Sequence, residues 1–137
     1  MSTERKPFYY YPGCSLKGSG KHYEESVLAV FETLGVPFEE LPDWNCCGAT
    51  TYMAIEQNSS YLIASRNLAI AERDGKDIFA PCSACYMVLL KTLHTYFTYP
   101  EIREKITRGL KAVGLSFTGN VRVRHPPVSY THLRAHE

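Results

Sequence analysis

Hydrophobic and polar positions along the chain follow two spacings in turn. Short apolar runs bounded by proline, glycine or charged residues are typical of buried strands, and longer segments with apolar residues every three or four positions are typical of helices. This alternation predicts an α/β domain whose mostly parallel sheet is flanked by helices. The predicted strands are residues 8–11, 36–41, 77–80 and 121–124, and the predicted helices are residues 21–34, 52–73, 84–96 and 101–113.

Composition and charge exclude several classes of function. The chain has 137 residues, of which 45% are hydrophobic and 21% charged, and this fits one globular domain. Its net charge of +1 is too balanced for the strongly basic surface of a nucleic-acid binder. No apolar run reaches the roughly 18 to 20 residues of a membrane span, and no apolar segment follows the charged N-terminus as it would in a secretory signal. We therefore expect a cytoplasmic protein without a membrane span.

The five cysteines carry the most informative chemistry in the sequence. Thiols stay reduced in the cytoplasm, so an odd number of cysteines favours a metal site or redox chemistry over a disulfide framework. All five lie at strand-to-helix junctions or turns, which is where a parallel α/β fold presents side chains to a ligand. They are Cys14, Cys46, Cys47, Cys82 and Cys85.

Two local patterns indicate that these cysteines share a site. Cys82 and Cys85 enter a predicted helix one turn apart, so both can bind one metal atom or two atoms of one cluster. Cys46 and Cys47 are adjacent, just before the second predicted helix, and adjacent side chains point apart in regular structure. Both can serve one site only where the backbone is irregular, which Gly48 permits. A multi-iron cluster gives adjacent thiolates separate atoms to bind, and helix N-termini stabilise the thiolates.

The order of the cysteines resembles that of the cysteine-rich CCG domain, which is named for Cys-Cys-Gly. The matching segments are Tyr-Pro-Gly-Cys at Cys14, Asn-Cys-Cys-Gly-Ala at Cys46 and Cys47, and Cys82-x-x-Cys85, and the resemblance covers roughly residues 7–126. These contexts are most similar to the B subunit of heterodisulfide reductase. The resemblance implies a single CCG domain over residues 1–126, the N-terminal member of an expected tandem pair.

The resemblance also implies a cofactor, a reaction and partners. The cofactor is a non-cubane [4Fe-4S] cluster, and through it the protein reduces a disulfide to two thiols, in methanogens the mixed disulfide of coenzymes M and B. Electrons arrive from an iron–sulfur C subunit and a flavin-containing A subunit. No Gly-x-Gly-x-x-Gly run is present, so we expect no flavin or nicotinamide site in this chain. The implied cluster ligands, catalytic through the cluster, are Cys14, Cys46, Cys47, Cys82 and Cys85.

Three alternatives stay open at this stage. Related iron–sulfur subunits of glycolate or lactate oxidation, or of thiol-dependent fumarate reduction, use the CCG domain to transfer electrons, but they usually carry ferredoxin-type cysteine runs, which this sequence lacks. A structural Zn²⁺ takes four ligands and leaves the fifth cysteine spare. A thiol–disulfide catalyst built on Cys82 and Cys85 leaves the other three cysteines unexplained.

Further side chains are candidates for contact with the cluster or its substrate. Each also has an ordinary alternative as a core or surface residue, because aromatic residues near junctions usually pack in the core and lone histidines are usually structural. The candidates are Tyr11, His22, Trp44 and Tyr86 as lining residues, His94 and His125 as proton donors, and Lys17 and Lys21 as charges that attract an anionic thiol.

The last residues differ in character from the rest of the chain. Family-like sequence ends near His125, and residues 127–137 resemble a translated sequencing-adapter tail, so we expect them to be non-native or disordered and without function. A fragment that stops before the second CCG domain would expose apolar surface meant for that domain. We therefore expect it to be inactive on its own.

Overall fold

The computed structural model describes residues 7–49 and 54–125 of the chain. The predicted tail at 127–137 and the predicted helix start at residue 52 lie outside these residues. In chain order the elements are β1 (Phe8–Tyr10), α1 (Gly13–Lys17), α2 (Lys21–Thr33), β2 (Phe38–Glu40), α3 (Gln57–Arg73), β3 (Ile78–Phe79), α4 (Ser83–Thr98), α5 (Pro100–Ala112) and β4 (Val123–Arg124).

The four strands form one parallel sheet in the order β2-β1-β3-β4, which confirms the predicted α/β class. Two elements differ from the prediction. The short helix α1 lies where the sequence analysis predicts neither a helix nor a strand, because five residues are too few to show a periodic pattern. The predicted helix over residues 52–73 is interrupted at Glu56, so that residues 54–55 are helical and α3 begins at Gln57. Cys46 and Cys47 therefore lie in irregular backbone and not in the first turn of a helix.

Strand residues alternate between the two faces of the sheet, and each face has its own core. On one face, Tyr9 and Ile78 pack with residues of α3, α4 and α5. On the other face, Tyr10 and Phe79 pack with α2, where the ring of Phe31 stacks on Phe79 with centroids 4.2 Å apart. Because helices cover both faces, the central strands are apolar or aromatic throughout, and a ligand site has to form at the ends of the strands.

The last strand is oriented by one carboxylate. Glu72, near the end of α3, accepts hydrogen bonds from the backbone N–H groups of Thr118 at 2.9 Å and Asn120 at 2.6 Å. It also accepts one from the Thr118 hydroxyl at 2.7 Å. The chain then enters β4, which pairs in parallel with β3. His125, directly after β4, consequently lies at the same end of the sheet as the residues that follow β1, β2 and β3.

None of the helices formed by residues 7–49 and 54–125 combines the length and the apolar character needed to cross a membrane.

Candidate metal centre

The carboxyl ends of three neighbouring strands bring the five cysteines together. Cys14 lies in α1, directly after β1, and Cys46 and Cys47 lie in the irregular segment after β2. Cys82 is the N-cap residue of α4, directly after β3, and Cys85 lies in the first turn of that helix. In open parallel sheets, ligands bind at this end of the strands, where the order of the strands reverses. Here that point is between β1 and β3.

The five thiols interact in one series along the site. Electrostatic interactions connect Cys46 with both Cys14 and Cys47. The Sγ atoms of Cys47 and Cys85 lie 3.5 Å apart, and Cys85 interacts electrostatically with Cys82. Three segments that are far apart in the sequence thus contribute thiols to one site. All five cysteines are free thiols.

The thiols of the buried pair, Cys47 and Cys85, have different pKa values. A hydrogen bond with Cys85 lowers the pKa of Cys47 to about 6, although burial acts in the opposite direction. The same hydrogen bond, together with burial, raises the pKa of the Cys85 thiol. One of the two sulfurs is therefore a thiolate near neutral pH while the other keeps its proton. A thiolate is the form of cysteine that binds metals.

Two glycines allow the backbone to approach the sulfurs. Gly13 has a φ of +71°, and a Cβ atom at this position would lie 2.7 Å from the Sγ of Cys85. Gly48 has a φ of +83°, and its N–H donates a hydrogen bond to the Sγ of Cys46 at 3.4 Å. Because only glycine adopts such φ values without strain, both positions require it. The predicted role of Gly48 in the irregular turn is confirmed.

The segment that leads into Cys46 is anchored to α3 by side chains that the sequence does not reveal. The backbone N–H of Asn45 donates to Oδ1 of Asn67 at 3.0 Å, and Nδ2 of Asn67 donates back to the Asn45 carbonyl at 2.9 Å. Arg66 donates to Oδ1 of Asn45 at 3.0 Å and to the Asp43 carbonyl at 2.6 Å. Arg66 also forms an ion pair with the Asp43 carboxylate. These contacts fix the backbone before the Cys-Cys-Gly turn.

One signal in the sequence could have identified part of this anchor. Ser60, Ala64, Asn67 and Ala71 are spaced at four, three and four positions along α3, so they share one face of the helix. All four are fully buried. Polar residues on a buried helix face are unusual and have to be hydrogen-bonded to something, so this spacing indicates a polar contact with the rest of the fold.

Two cations, one in α1 and one that contacts the segment before Cys46, are already paired. The Lys17 ammonium lies 2.7 Å from a Glu40 oxygen and 3.6 Å from a Glu24 oxygen. Arg66 is paired with Asp43. These cations therefore do not balance the charge that several thiolates would carry, and a buried charge is costly unless it is paired or bound to a metal. A bound cationic group would supply that balance.

The aromatic candidates divide into two groups. Tyr11 is fully buried, its hydroxyl donates to the Asn45 carbonyl at 2.7 Å, and its ring meets the Trp44 ring edge to face at 5.6 Å. The ring of Tyr86 lies 5.4 Å from the ring of His125. Tyr11 and Trp44 thus support the cysteine segment from within the core, and Tyr86 contacts the histidine after β4.

The remaining candidates are exposed on helices. The imidazole of His22 is 99% exposed and lies 3.8 Å from the Glu25 carboxylate. Lys21 and His94 are exposed on α2 and α4, respectively. None of the contacts described for these three side chains reaches a cysteine.

A surface cavity of about 380 Å³ lies beside Cys82. The Nδ1 atom of His125 lies 3.2 Å from the carbonyl oxygen of Ala80, and this contact makes Nδ1 the donor. Nε2 is then the ring nitrogen available to a ligand in the cavity. The cavity is lined by Leu16, Tyr23, Pro81, Cys82, Ser83 and His125.

The donor set can be compared with what a metal group requires. Within residues 7–49 and 54–125, no three His, Cys, Asp or Glu side chains are arranged to hold a single metal ion. The sulfurs instead extend along a series from Cys14 to Cys82, as described above. A multi-iron cluster offers separate iron atoms to thiolates that are spread in this way. The five thiols therefore fit an iron–sulfur group better than a single ion.

Fold and site together define a parallel α/β domain of the cysteine-rich class. Residues 8–90 match the cysteine-rich domain family, CCG, and the chain belongs to that family. Its relatives over most of its length are proteins similar to the B subunit of heterodisulfide reductase.

Three relatives illustrate this similarity. A protein of Archaeoglobus profundus that is like the heterodisulfide reductase B subunit is 30% identical over 114 residues, which is 82% of this chain and 38% of that protein. The B subunit of the ferredoxin/F420H2-dependent CoB-CoM heterodisulfide reductase of Methanosarcina acetivorans is 28% identical over 114 residues, again 82% of this chain and 38% of that protein. The membrane anchor subunit of the 8-methylmenaquinol:fumarate reductase of Wolinella succinogenes is 30% identical over 64% of this chain and 31% of that protein. The chain thus spans well under half the length of these relatives.

Proposed function

We propose that the five cysteines bind a non-cubane [4Fe-4S] cluster, and that the chain is the N-terminal CCG domain of a disulfide-reducing B subunit. The observation that carries this proposal is the unbroken series of five thiols from three strand ends. Five sulfur ligands exceed the four that a structural zinc takes. The length of the relatives supports a second CCG domain in the whole protein, because the chain covers only 38% of two of them.

The reaction consumes two electrons and two protons and converts one disulfide to two thiols. The bound cluster supplies single electrons and an iron atom that can take a substrate sulfur. The protein's own part is to hold the cluster through the five thiolates and to keep the Cys-Cys-Gly turn rigid through Asn45 and Asn67. The cavity beside Cys82 receives the organic part of the thiol or disulfide. There, Nε2 of His125 forms a hydrogen bond with the substrate.

The partners follow from the same proposal. The relatives include subunits named as parts of heterodisulfide reductases, so the chain works in a complex with other subunits. We assign the delivery of electrons to an iron–sulfur C subunit and a flavin-containing A subunit. The disulfide of coenzymes M and B, or a similar small molecule, is the proposed substrate.

Metal analysis of the anaerobically expressed chain tests the cofactor. We expect about four irons and four sulfides per chain, the content of one such cluster. We also expect a paramagnetic signal from the oxidised protein that broadens or shifts when a thiol is added. One zinc and no iron would refute the proposal and leave a structural module.

Single variants test the ligand set. Replacing Cys14, Cys47 or Cys85 by serine removes a thiolate, so each variant is expected to bind less iron than the wild type. Ala84 is exposed between Cys82 and Cys85, and Ala84→Ser adds a hydroxyl next to the site without removing a ligand. This matched control is expected to keep its iron. A full iron content in all the cysteine variants would exclude these residues as ligands.

A second function is favoured by one specific observation, the similarity to a subunit of a fumarate reductase. In that case the cluster would transfer electrons to or from a partner and would not bind a disulfide. The thiol titration separates the two functions. A cluster whose paramagnetic signal does not respond to thiols would support electron transfer, and one that does respond would support disulfide reduction.

A further inference from the structure

We propose that the hydroxyl of Ser60 donates a hydrogen bond to a sulfur of the iron–sulfur group at the Cys-Cys-Gly turn, and that it thereby raises the reduction potential of that group. This inference rests on the proposed cofactor but not on the proposed reaction. Ser60 would contact the cluster directly from α3.

The first observation is an unsatisfied polar atom. Ser60 is fully buried, and its Oγ is the one buried side-chain nitrogen or oxygen without a hydrogen-bond partner in the described parts of the chain. Buried hydroxyl groups are nearly always hydrogen-bonded, so an exception calls for an explanation such as a group that binds there. The hydroxyl is therefore free to donate to a ligand.

The second observation is that Ser60 does not use the partner that serines in helices ordinarily use. Such hydroxyls commonly bond to a carbonyl one turn back. Ser65 does so, donating to the Leu62 carbonyl at 2.7 Å, and Ser26 donates to the His22 carbonyl at 3.0 Å. The Oγ of Ser60 makes no such bond. Its hydroxyl is thus not committed to the helix.

The third observation is the place of this hydroxyl in the fold. A Cβ atom at Gly48 would lie 3.8 Å from the Oγ of Ser60, which is ordinary van der Waals contact. The hydroxyl therefore stands next to the turn that carries Cys46 and Cys47. Because residue 48 is a glycine, no side chain stands between the hydroxyl and this turn. The donor and the sulfur site are neighbours.

The expected chemistry follows from charge. Reduction adds an electron to the cluster and makes its sulfurs more negative, so a hydrogen-bond donor stabilises the reduced state more than the oxidised state. Hydrogen bonds to the sulfurs are one of the factors that set the potentials of iron–sulfur centres. Removal of this donor is therefore expected to lower the potential.

The experiment compares Ser60→Ala with Ser65→Ala in the loaded protein. Both serines are fully buried on α3, and both variants lose one hydroxyl, but only Ser65 has its hydrogen bond within the helix. We expect Ser60→Ala to shift the reduction equilibrium about tenfold toward the oxidised state, which is about 59 mV for one electron. Ser65→Ala is expected to leave the potential unchanged.

A second readout does not depend on the size of that shift. The hyperfine spectrum of the paramagnetic state should contain an exchangeable proton close to the cluster that Ser60→Ala lacks and Ser65→Ala retains. In the metal-free chain we expect Ser65→Ala to be the more harmful variant. Ser60→Ala removes an unpaired hydroxyl and leaves the unfolding free energy unchanged or higher, whereas Ser65→Ala removes a hydrogen-bonded hydroxyl and lowers it.

The outcomes separate this inference from the proposed function. A wild-type chain that binds no iron refutes the cofactor and this inference with it. An iron-loaded Ser60→Ala variant with the wild-type potential and the wild-type exchangeable proton refutes the inference and leaves the cofactor standing. A lowered potential in Ser60→Ala alone supports the inference, whether or not the cluster responds to thiols.

Discussion

Asn67 holds Asn45 through two reciprocal hydrogen bonds, one from the Asn45 N–H to Oδ1 of Asn67 and one from Nδ2 of Asn67 to the Asn45 carbonyl. An amide side chain can both donate to and accept from the backbone of a single residue in this way without carrying a charge. Asn67 is fully buried on α3, and Asn45 comes directly before Cys46. The position of the cysteine turn therefore depends on a side chain that lies 22 residues further along the sequence.

Asn67→Ala is expected to destabilise the chain and weaken the site at the same time. The change leaves the Asn45 N–H without its partner and creates a small cavity, and together these cost about 2–3 kcal/mol of unfolding free energy. Denaturant unfolding measures that cost, and metal analysis is expected to give a lower iron content. Asn58→Ala, an exposed position on the same helix, is the control and is expected to change neither quantity. Equal iron contents in the two variants would contradict the anchoring role of Asn67.

Gly13→Ala is expected to reduce iron binding through a steric clash. The new Cβ would lie 2.7 Å from the Sγ of Cys85, and the φ of +71° is strained for alanine. Gly35 offers a matched control because its φ is +69° and nothing lies within 4 Å of its added Cβ. Both variants should lose about 1–2 kcal/mol of stability from backbone strain. Only Gly13→Ala should lower the iron content, and an equal loss of iron in both would show that backbone strain alone is responsible.

Stability is expected to fall at alkaline pH because of the tyrosines of β1. Burial, together with the hydrogen bond that the hydroxyl donates to Asp74, raises the pKa of Tyr9 to about 12. Burial also raises the pKa of Tyr10, which is hydrogen-bonded to Glu24, and of Tyr11. The pKa of each of these tyrosines in the folded protein is higher than the unfolded value of 10.0. Each therefore contributes stability that is fully present below pH 10.0 and is lost as the pH rises through its folded pKa.

Unfolding free energies measured between about pH 9 and about pH 12 test this expectation. This range includes the unfolded tyrosine pKa of 10.0 and approaches the folded pKa of Tyr9. The part of the tyrosinate absorbance that Tyr9→Phe removes should rise together with the loss of helical signal and not before it. Tyr9→Phe should make stability less dependent on pH in this window, whereas Tyr23→Phe, at a half-exposed position, should not. Ionisation of all the tyrosines in the intact fold would disprove the prediction.

His125 is expected to contribute to thiol binding through one of its ring nitrogens, a prediction that rests on the proposed function. Asparagine keeps a donor near the position of Nδ1, which contacts the Ala80 carbonyl, but lacks a group at Nε2. His125→Asn should therefore weaken thiol binding about tenfold, the loss of roughly one hydrogen bond. The thiol titration of the paramagnetic signal measures this. His94→Asn, at an exposed helix position, is the control, and identical thiol affinities in both variants would exclude a role for His125.

The parts of the site that the sequence predicts are those encoded by residue type and local spacing. Cys82 and Cys85 are one helical turn apart, and the Cys-Cys-Gly turn depends on the φ of Gly48, so both follow from local rules. The central strands β1 and β3 were predictable because both faces of the sheet are covered there and their residues are apolar or aromatic. Features that depend on local sequence can therefore be predicted from it.

The polar residues that support the site could not be predicted in this way, because their roles depend on tertiary contacts. Asn67 resembles an ordinary polar residue of a helix, and its partner, Asn45, lies in a segment that only the tertiary fold brings near it. The interruption of the second predicted helix at Glu56 was not predicted for a similar reason. Apolar residues around Ile55 continue the helical spacing, yet Ile55 is 76% exposed, so the pattern there does not correspond to burial.

The order of the strands in the sheet has a consequence for how the protein reaches its folded state. The first strand, β1, lies in the middle of the sheet, and Tyr9 pairs with Ile78, 69 positions later in the chain. Contacts of such long range close a large loop, so they form slowly and late. A newly made chain therefore carries unprotected thiols at Cys14, Cys46 and Cys47 until β3 is added beside β1. We therefore expect assembly of the proposed cluster to follow this strand pairing, so that a substitution that slows the pairing lowers the yield of loaded protein without altering any cysteine.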